Sequence, residues 1–185
     1  MGSIIMGKGS YVGNEINHRF SDCDITIGKF CSIALNLKIF TGGNHRSDWI
    51  TTYPFSTRFP FFNEFGPHQA AGKPVTIGND VWIGDDVVIM SGVVIEDGAC
   101  IGAHSVVRRN VTPYSIVRGN PAREVRKRFS HEEIVMLLRV KWWDWSETKL
   151  FEAMRFLLSA DVTGLYKYYQ ENVYQESNTV SEEAV

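Results

Sequence analysis

A chain of 185 residues, 44% of them hydrophobic, is long enough to bury one sizeable core and carry a small appendage. Its formal net charge of −2 supplies no global field for nucleic acid or a membrane surface. Three cysteines (Cys23, Cys31, Cys100), odd in number and without metal-ligand spacing, argue for free thiols in a reducing compartment.

The first residues carry no charged-then-apolar leader, and Met6 stands where a myristoylation signal wants Ser or Thr. No later apolar run approaches the ~18 residues that span a bilayer, so a cytoplasmic protein is expected. Faint six-residue units begin at Met6-Gly7 and Val12-Gly13, and the repeat falters around His18 in "NEINHRFSDCD". It returns at Ile27-Gly28, Ile33-Ala34 and Ile39-Phe40. Between Ile39 and Ile77 the phase is lost, which predicts a loop (41–75) inserted at one corner of a repeating structure. That loop carries Trp49, Tyr53, Phe55, Phe59, Phe61, Phe62 and Phe65. It is too aromatic for a solvated linker, so it is expected to pack against a surface such as a neighbouring subunit.

From Ile77 the phase is unbroken: Ile77, Ile83, Ile89, Ile95, Ile101 and Val107. A helix buries residues at a period near 3.6 and a strand at a period of two. One phase held over thirty residues is a solenoid signature. The second place of each unit is small or polar (Gly78, Gly84, Met90, Glu96, Gly102, Arg108), and the fifth is small or β-branched (Val81, Val87, Val93, Ala99, Ser105, Val111). Cys31 falls at a fifth place and Cys100 at a sixth. Each unit reads as a short strand and a turn with its isoleucine aimed at a shared axis. The prediction is a parallel β-helix over 1–120, three hexads to a coil, each coil rising about 4.8 Å.

After Pro113 a turn leads into the basic run Arg123, Arg126, Lys127, Arg128, and a helical segment is expected over 121–172. Ser130 with Glu133 is a capping-box pair, followed by Ile134, Leu137 and Leu138. "KWWDWS" interrupts, and Ser146 can cap a second helix whose apolar face is Leu150, Phe151, Met154, Leu157 and Leu158. A third helix carries Leu165, Tyr168 and Tyr169, and residues 173–185 form a polar tail expected to be disordered. A solenoid exposes an open end, and these helices are expected to cap it.

Five histidines are the candidate acid–base groups, because a side chain with a free pKa of about 6.5 suits proton transfer near neutral pH. His131 lies just inside a helix start, His104 in a repeat turn, and His68 after Gly-Pro in the distal loop, as a structural or rim residue. His18, where the repeat falters, is a candidate substrate contact, as is Tyr53 in the loop. His45 follows Gly42-Gly43-Asn44, where the chain leaves the coils; residue type alone leaves it either a general base or an ordinary loop histidine. Asp48 or a backbone carbonyl would hold its tautomer. Gly84, which permits close backbone approach, is a candidate N–H donor to an oxyanion, and Ala103 is a further candidate binding residue. Trp82, at an outward sixth place, is expected on residue type to pack on the inserted loop.

Four stretches carry a resemblance: "GNHRSDWITTYPF" (Gly43–Phe55), "GKPVTIGNDVWIG" (Gly72–Gly84), "GNPAREVRKRF" (Gly119–Phe129) and "KWWDWS" (Lys141–Ser146). Together with the hexads they resemble the xenobiotic acetyltransferases among the hexapeptide-repeat acyltransferases, over roughly residues 5 to 170. This group includes type B chloramphenicol and streptogramin acetyltransferases and polysaccharide O-acetyltransferases. The resemblance implies a mainly β fold, a left-handed parallel β-helix with an inserted loop and a C-terminal α-helical cap. It implies acetyl-CoA as co-substrate, a hydroxyl on a small molecule or sugar as acceptor, and direct attack with His45 as general base. It places Trp82 beside the pantetheine arm, Arg123 and Lys127 near the coenzyme A phosphates, and active sites between the subunits of a homotrimer; no metal is required. Alternatives from other classes are an N-acetyltransferase of a nucleotide-linked amino sugar, a zinc enzyme needing three converging histidines, and a purely structural solenoid with a ladder of identical outward residues.

Overall fold

Among the described residues, fourteen short strands run through the first part of the chain. In this computed structural model residues 2–20 and 23–173 are described, so the expected tail beyond Val173 lies outside the described residues. The strands are β1 Ile4–Met6, β2 Tyr11–Val12, β3 Asn17–Arg19, β4 Ile25–Ile27, β5 Ser32–Ile33, β6 Lys38–Phe40, β7 Val75–Ile77, β8 Trp82–Ile83, β9 Val88–Ile89, β10 Val94–Ile95, β11 Cys100–Ile101, β12 Val106–Val107, β13 Ser115–Arg118 and β14 Arg123–Lys127.

Every third strand stacks on its predecessor. The three sheets run β1-β4-β7-β10, β2-β5-β8-β11-β13-β14 and β3-β6-β9-β12, parallel throughout except for the β13–β14 pair. Thr76 pairs with Val94, Trp82 with Cys100 and Val88 with Val106, eighteen positions apart each time, which is three hexads per coil. This is the β-helix that the isoleucine phase predicts. Ile77 is 1% exposed, and Ile83, Ile89, Ile95 and Ile101 are 0% exposed. The fifth-place residues Val81, Val87, Val93, Ala99 and Ser105 are buried too, so two inward positions per hexad fill the axis.

The corners follow a rule of their own. Phe30, Asn36, Asp80, Asp86, Gly92, Gly98 and His104 all take positive φ, and each stands three residues after an inward aliphatic residue. Gly, Asn, Asp and His tolerate the left-handed region better than other residues, so the fourth place carries the turn chemistry. His104 is therefore a corner residue, exposed on the surface, with Nδ1 3.8 Å from Asp86 Oδ2.

Three departures from the eighteen-residue coil matter. Ile4 pairs with Ile25, twenty-one positions on, so three residues beyond the coil's eighteen fall between β3 and β4. Ile25 pairs with Val75, fifty positions on, so thirty-two surplus residues leave the coils between β6 and β7. Cys100 pairs with Ile116, sixteen positions on, which shortens the last corner. The basic run also departs from the sequence reading. Arg123–Lys127 does not belong to the helical segment but forms β14, antiparallel to β13, because the turn at Gly119–Pro121 folds the chain back along the sheet edge.

The chain divides into two units, Met1–Lys127 and Arg128–Val185. The second contains α2 (His131–Val140), α3 (Glu147–Leu157) and α4 (Val162–Asn172), with a 3-10 turn at Trp142–Asp144. Ser130 accepts from Glu133 N–H while the Glu133 carboxylate accepts from Ser130 N–H, the expected capping box. Ser146 caps α3 through Lys149 N–H, and Asp161 caps α4 through Gly164 N–H. No helix among the described residues is long and apolar enough to cross a membrane.

The wholly buried Ile83 gives a direct test of the stacked core. Ile83→Ala is expected to lower unfolding free energy by about 2–5 kcal/mol and Ile83→Val by about 0.5–1.5 kcal/mol, measured by urea denaturation. A cost below about 1 kcal/mol for the alanine change would contradict a close-packed axis.

Candidate active site

The inserted loop leaves the coils at Thr41, which is wholly buried. The Thr41 carbonyl accepts Lys73 N–H at 2.9 Å and the Ser91 hydroxyl at 3.2 Å, so the outgoing and returning chains are tied at the loop base. The Thr41 hydroxyl donates to the Phe20 carbonyl at 2.7 Å. Its single proton is thereby committed, so the His18 Nε2 at 2.9 Å must be the donor to Thr41 Oγ1. His18 holds the register place of Ile39, an inward position, and its half-buried ring closes the loop base.

Gly43 then turns the chain sharply. Its φ is +77, and a Cβ there would lie 2.4 Å from the Phe20 ring, so both the conformation and the space require glycine. Two residues later His45 stands exposed, its Nδ1 2.6 Å from the Thr52 carbonyl oxygen. A carbonyl only accepts, so Nδ1 carries the proton and Nε2 of the neutral ring keeps its lone pair for a base's work. Of the two partners left open by the sequence, the carbonyl holds His45. Asp48 is taken by Arg46, whose Nε and Nη2 donate to its two oxygens at 2.8 and 2.5 Å. That hydrogen bonding holds the Asp48 carboxyl at about 2. Arg46 also lies 4.9 Å over the Trp49 ring.

The same Thr52 carbonyl has a second donor. His68 Nε2 lies 2.8 Å from it, and the His68 ring meets His45 at 5.8 Å and Trp49 at 5.2 Å, both edge to face. Trp49, Thr51, Phe55, Phe62, Phe65 and His68 line a cleft of about 330 Å³ whose walls are mainly apolar. A one-turn helix, α1 (Phe55–Arg58), and a 3-10 turn at Pro60–Phe65 arrange these rings. Tyr53 packs edge to face on Phe55 at 4.8 Å, with its side chain half exposed. Sequence reasoning allowed for a backbone carbonyl but did not single out Thr52. A main-chain acceptor is open to any residue type, so no sequence signal marks it.

The candidate cofactor residues separate into two sets. Trp82 points outward from β8, 51% exposed, the outward place expected of it, and Ala103 is exposed at the corner next to His104. Gly84 permits close approach, but of a different kind from the one expected. Its N–H donates to the Ile101 carbonyl at 2.9 Å, and a Cβ at Gly84 would lie 2.7 Å from Ala103 N. The glycine is required by coil stacking, and its amide is not free for an oxyanion.

Lys127 is likewise committed. Its Nζ donates to Thr112 Oγ1 at 2.5 Å, Ser115 Oγ at 2.7 Å and the Pro113 carbonyl at 3.2 Å, and it lies 3.3 Å from Glu124. Glu124 accepts from Ser115 at 2.8 Å, which with Lys127 draws its pKa below the ordinary glutamate value. This network pins β14 to the last corner and leaves Arg123 the exposed base at the start of the strand. Among the described residues no group of three or more His, Cys, Asp or Glu is placed to hold a metal ion.

Residues 74–109 match the bacterial transferase hexapeptide (six repeats) family. The chain is 41% identical to a chloramphenicol acetyltransferase of Escherichia coli over 91% of its own length and 88% of that protein's. It is 47% identical to a probable macrolide acetyltransferase of Lysinibacillus sphaericus over 80% of this chain and 85% of the relative. Among solved structures it is similar to a hexapeptide-repeat-containing acetyltransferase of Vibrio cholerae, with TM-score 0.56, 28% identity, and 70% and 68% of the two chains covered. That protein has also been solved in complex with acetyl coenzyme A, a structure similar to this chain with TM-score 0.54 and 26% identity. A hexad solenoid that expels one histidine-bearing loop, with identity of this level along most of the chain, places it in the xenobiotic acetyltransferase family of hexapeptide-repeat enzymes.

Proposed function

We propose that the protein transfers the acetyl group of acetyl-CoA to a hydroxyl of a small acceptor, with His45 as general base. One observation carries this reading: His45 Nδ1–H is held by the Thr52 carbonyl, which leaves Nε2 as the ring's acceptor. In the reaction, Nε2 takes the acceptor's hydroxyl proton as its oxygen attacks the thioester carbon. The tetrahedral intermediate collapses, the carbon–sulfur bond breaks, and the thiolate recovers the proton from the imidazolium. Acetyl-CoA is the donor bound by the Vibrio cholerae relative. The apolar cleft beside His68 favours an acceptor with an apolar body, as chloramphenicol and macrolides have, over a nucleotide-linked sugar. The coils are taken as left-handed, by likeness to the same relatives.

For the cofactor, Trp82 and Ala103 lie on the outer coil surface, where the pantetheine arm would run, and Arg123 is the base for a coenzyme A phosphate. His45→Ala is expected to lower kcat by about 10²–10⁴-fold with little change in KM for acetyl-CoA. Arg123→Ala is expected to raise KM for acetyl-CoA and spare kcat. Lys127→Met is expected to lower Tm and leave that KM nearly unchanged, because its contacts are internal. Thiol release from acetyl-CoA with chloramphenicol or a macrolide as acceptor measures the kinetic constants of all three variants, and thermal unfolding measures the Tm. Near-full activity of His45→Ala would refute the assignment.

The assembly belongs to the same proposal. Phe61 and Phe65 are 70% and 73% exposed at the tip of an otherwise interlocked aromatic cluster, and Trp82 is half exposed beyond it in sequence. A homotrimer with the loop of one subunit leaning on the next would cover such rings. Light scattering at micromolar concentration is expected to give the trimer mass, and a monomer would contradict it.

A further inference from the structure

We propose that His68 is a positioning residue for the general base, acting through the shared Thr52 carbonyl; the inference rests on the reading of His45 given above. His68 is 4% exposed, so its ring is a built part of the loop interior and not a rim group. Its Nε2 is 2.8 Å from Thr52 O, and His45 Nδ1 is 2.6 Å from the same atom. Because the oxygen only accepts, both nitrogens are N–H donors, and the two lone pairs of the carbonyl are both occupied.

This geometry has two consequences. A carbonyl held by one exposed imidazole alone can rotate with its peptide plane and release that imidazole. A carbonyl also held by a buried donor cannot do so without stranding that donor away from water. His68 therefore fixes the direction in which Thr52 O points, and through it the tautomer and plane of the His45 ring. The ring itself is fixed by Trp49, edge to face at 5.2 Å and 90°. A second tie close by has the same sense: Ala70 N–H donates to the Asn44 carbonyl at 3.1 Å, so the chain just after His68 also holds the peptide before His45. His68 cannot itself be the base through Nε2, which carries a proton and is turned to Thr52.

The test compares His68→Phe, which keeps the ring and loses the donor, with His68→Gln, whose side-chain amide can still donate. Two readouts are taken: steady-state kinetics, and ¹⁵N NMR of the imidazole nitrogens at slightly alkaline pH. In the wild type His45 is expected as a single Nδ1–H tautomer. In His68→Phe it is expected as a mixture of tautomers, with kcat lowered about 10–100-fold and KM for acetyl-CoA within about twofold. His68→Gln is expected to recover the single tautomer and most of kcat. Should His68→Phe not fold, His68→Asn, too short to reach the carbonyl, replaces it with the same expected outcome. A single Nδ1–H tautomer with wild-type kcat in the donor-less variant would overturn the proposal, and so would an equal loss in His68→Gln. These outcomes are separable from the fate of the base itself, because His45→Ala tests the base with His68 intact.

Discussion

The equal perimeter of successive coils is the constraint on which the first unit depends. Each peptide of a coil hydrogen-bonds to the coil before and after, as in Gly28 N–H to Ile77 O, Gly84 N–H to Ile101 O and Gly102 N–H to Val117 O. Such a ladder keeps its buried column only if the stacked strands stay in phase, because a slip of one turns the column outward. Surplus or missing residues are therefore confined to the corners. The thirty-two extra residues between β6 and β7 are the largest case, and they carry His45. Thr41 at the base of that loop is wholly buried, with Lys73, Ser91 and His18 all bonded to it. The rigid solenoid thus presents an exposed loop histidine from a fixed anchor, a common way of combining stability with chemistry.

Within the loop, the polar arrangement is a partition of partners. Arg46 takes Asp48, which removes the carboxylate from competition for His45. A carboxylate on Nδ1 would stabilise the imidazolium more strongly than a neutral carbonyl does. Holding His45 by Thr52 O fixes the tautomer without adding a charge beside the ring. The aromatic residues from Trp49 to Phe65 supply the low-polarity walls of the neighbouring cleft, which His68 also lines.

What the sequence makes legible and what it hides divide along physical lines. The inward isoleucines, the helix caps at Ser130 and Ser146 and the expulsion of the loop are side-chain patterns, and they read directly. So does the outward Trp82. The fourth-place corner rule was equally written in Asp80, Asp86, Gly92, Gly98 and His104, but its residue types vary while the backbone angle is what repeats. Features made by the main chain escape. Thr52 O holds His45 whatever the residue at position 52, and the Gly84 amide is engaged by Ile101 O although glycine suggests an open donor. Lys127 reads as a base in a charge run, favoured with Arg123 for the coenzyme A phosphates. Only the antiparallel return of β14 brings it onto Thr112, Ser115 and Glu124.

The central claim is that His45 acts as a base for direct attack and never carries the acetyl group. Initial rates measured over a grid of acetyl-CoA and acceptor concentrations test this most directly, together with the mass of the enzyme after mixing with acetyl-CoA alone. The account predicts intersecting reciprocal plots and an unmodified enzyme mass. Parallel plots with an acetylated enzyme, the pattern of a covalent intermediate, would contradict it.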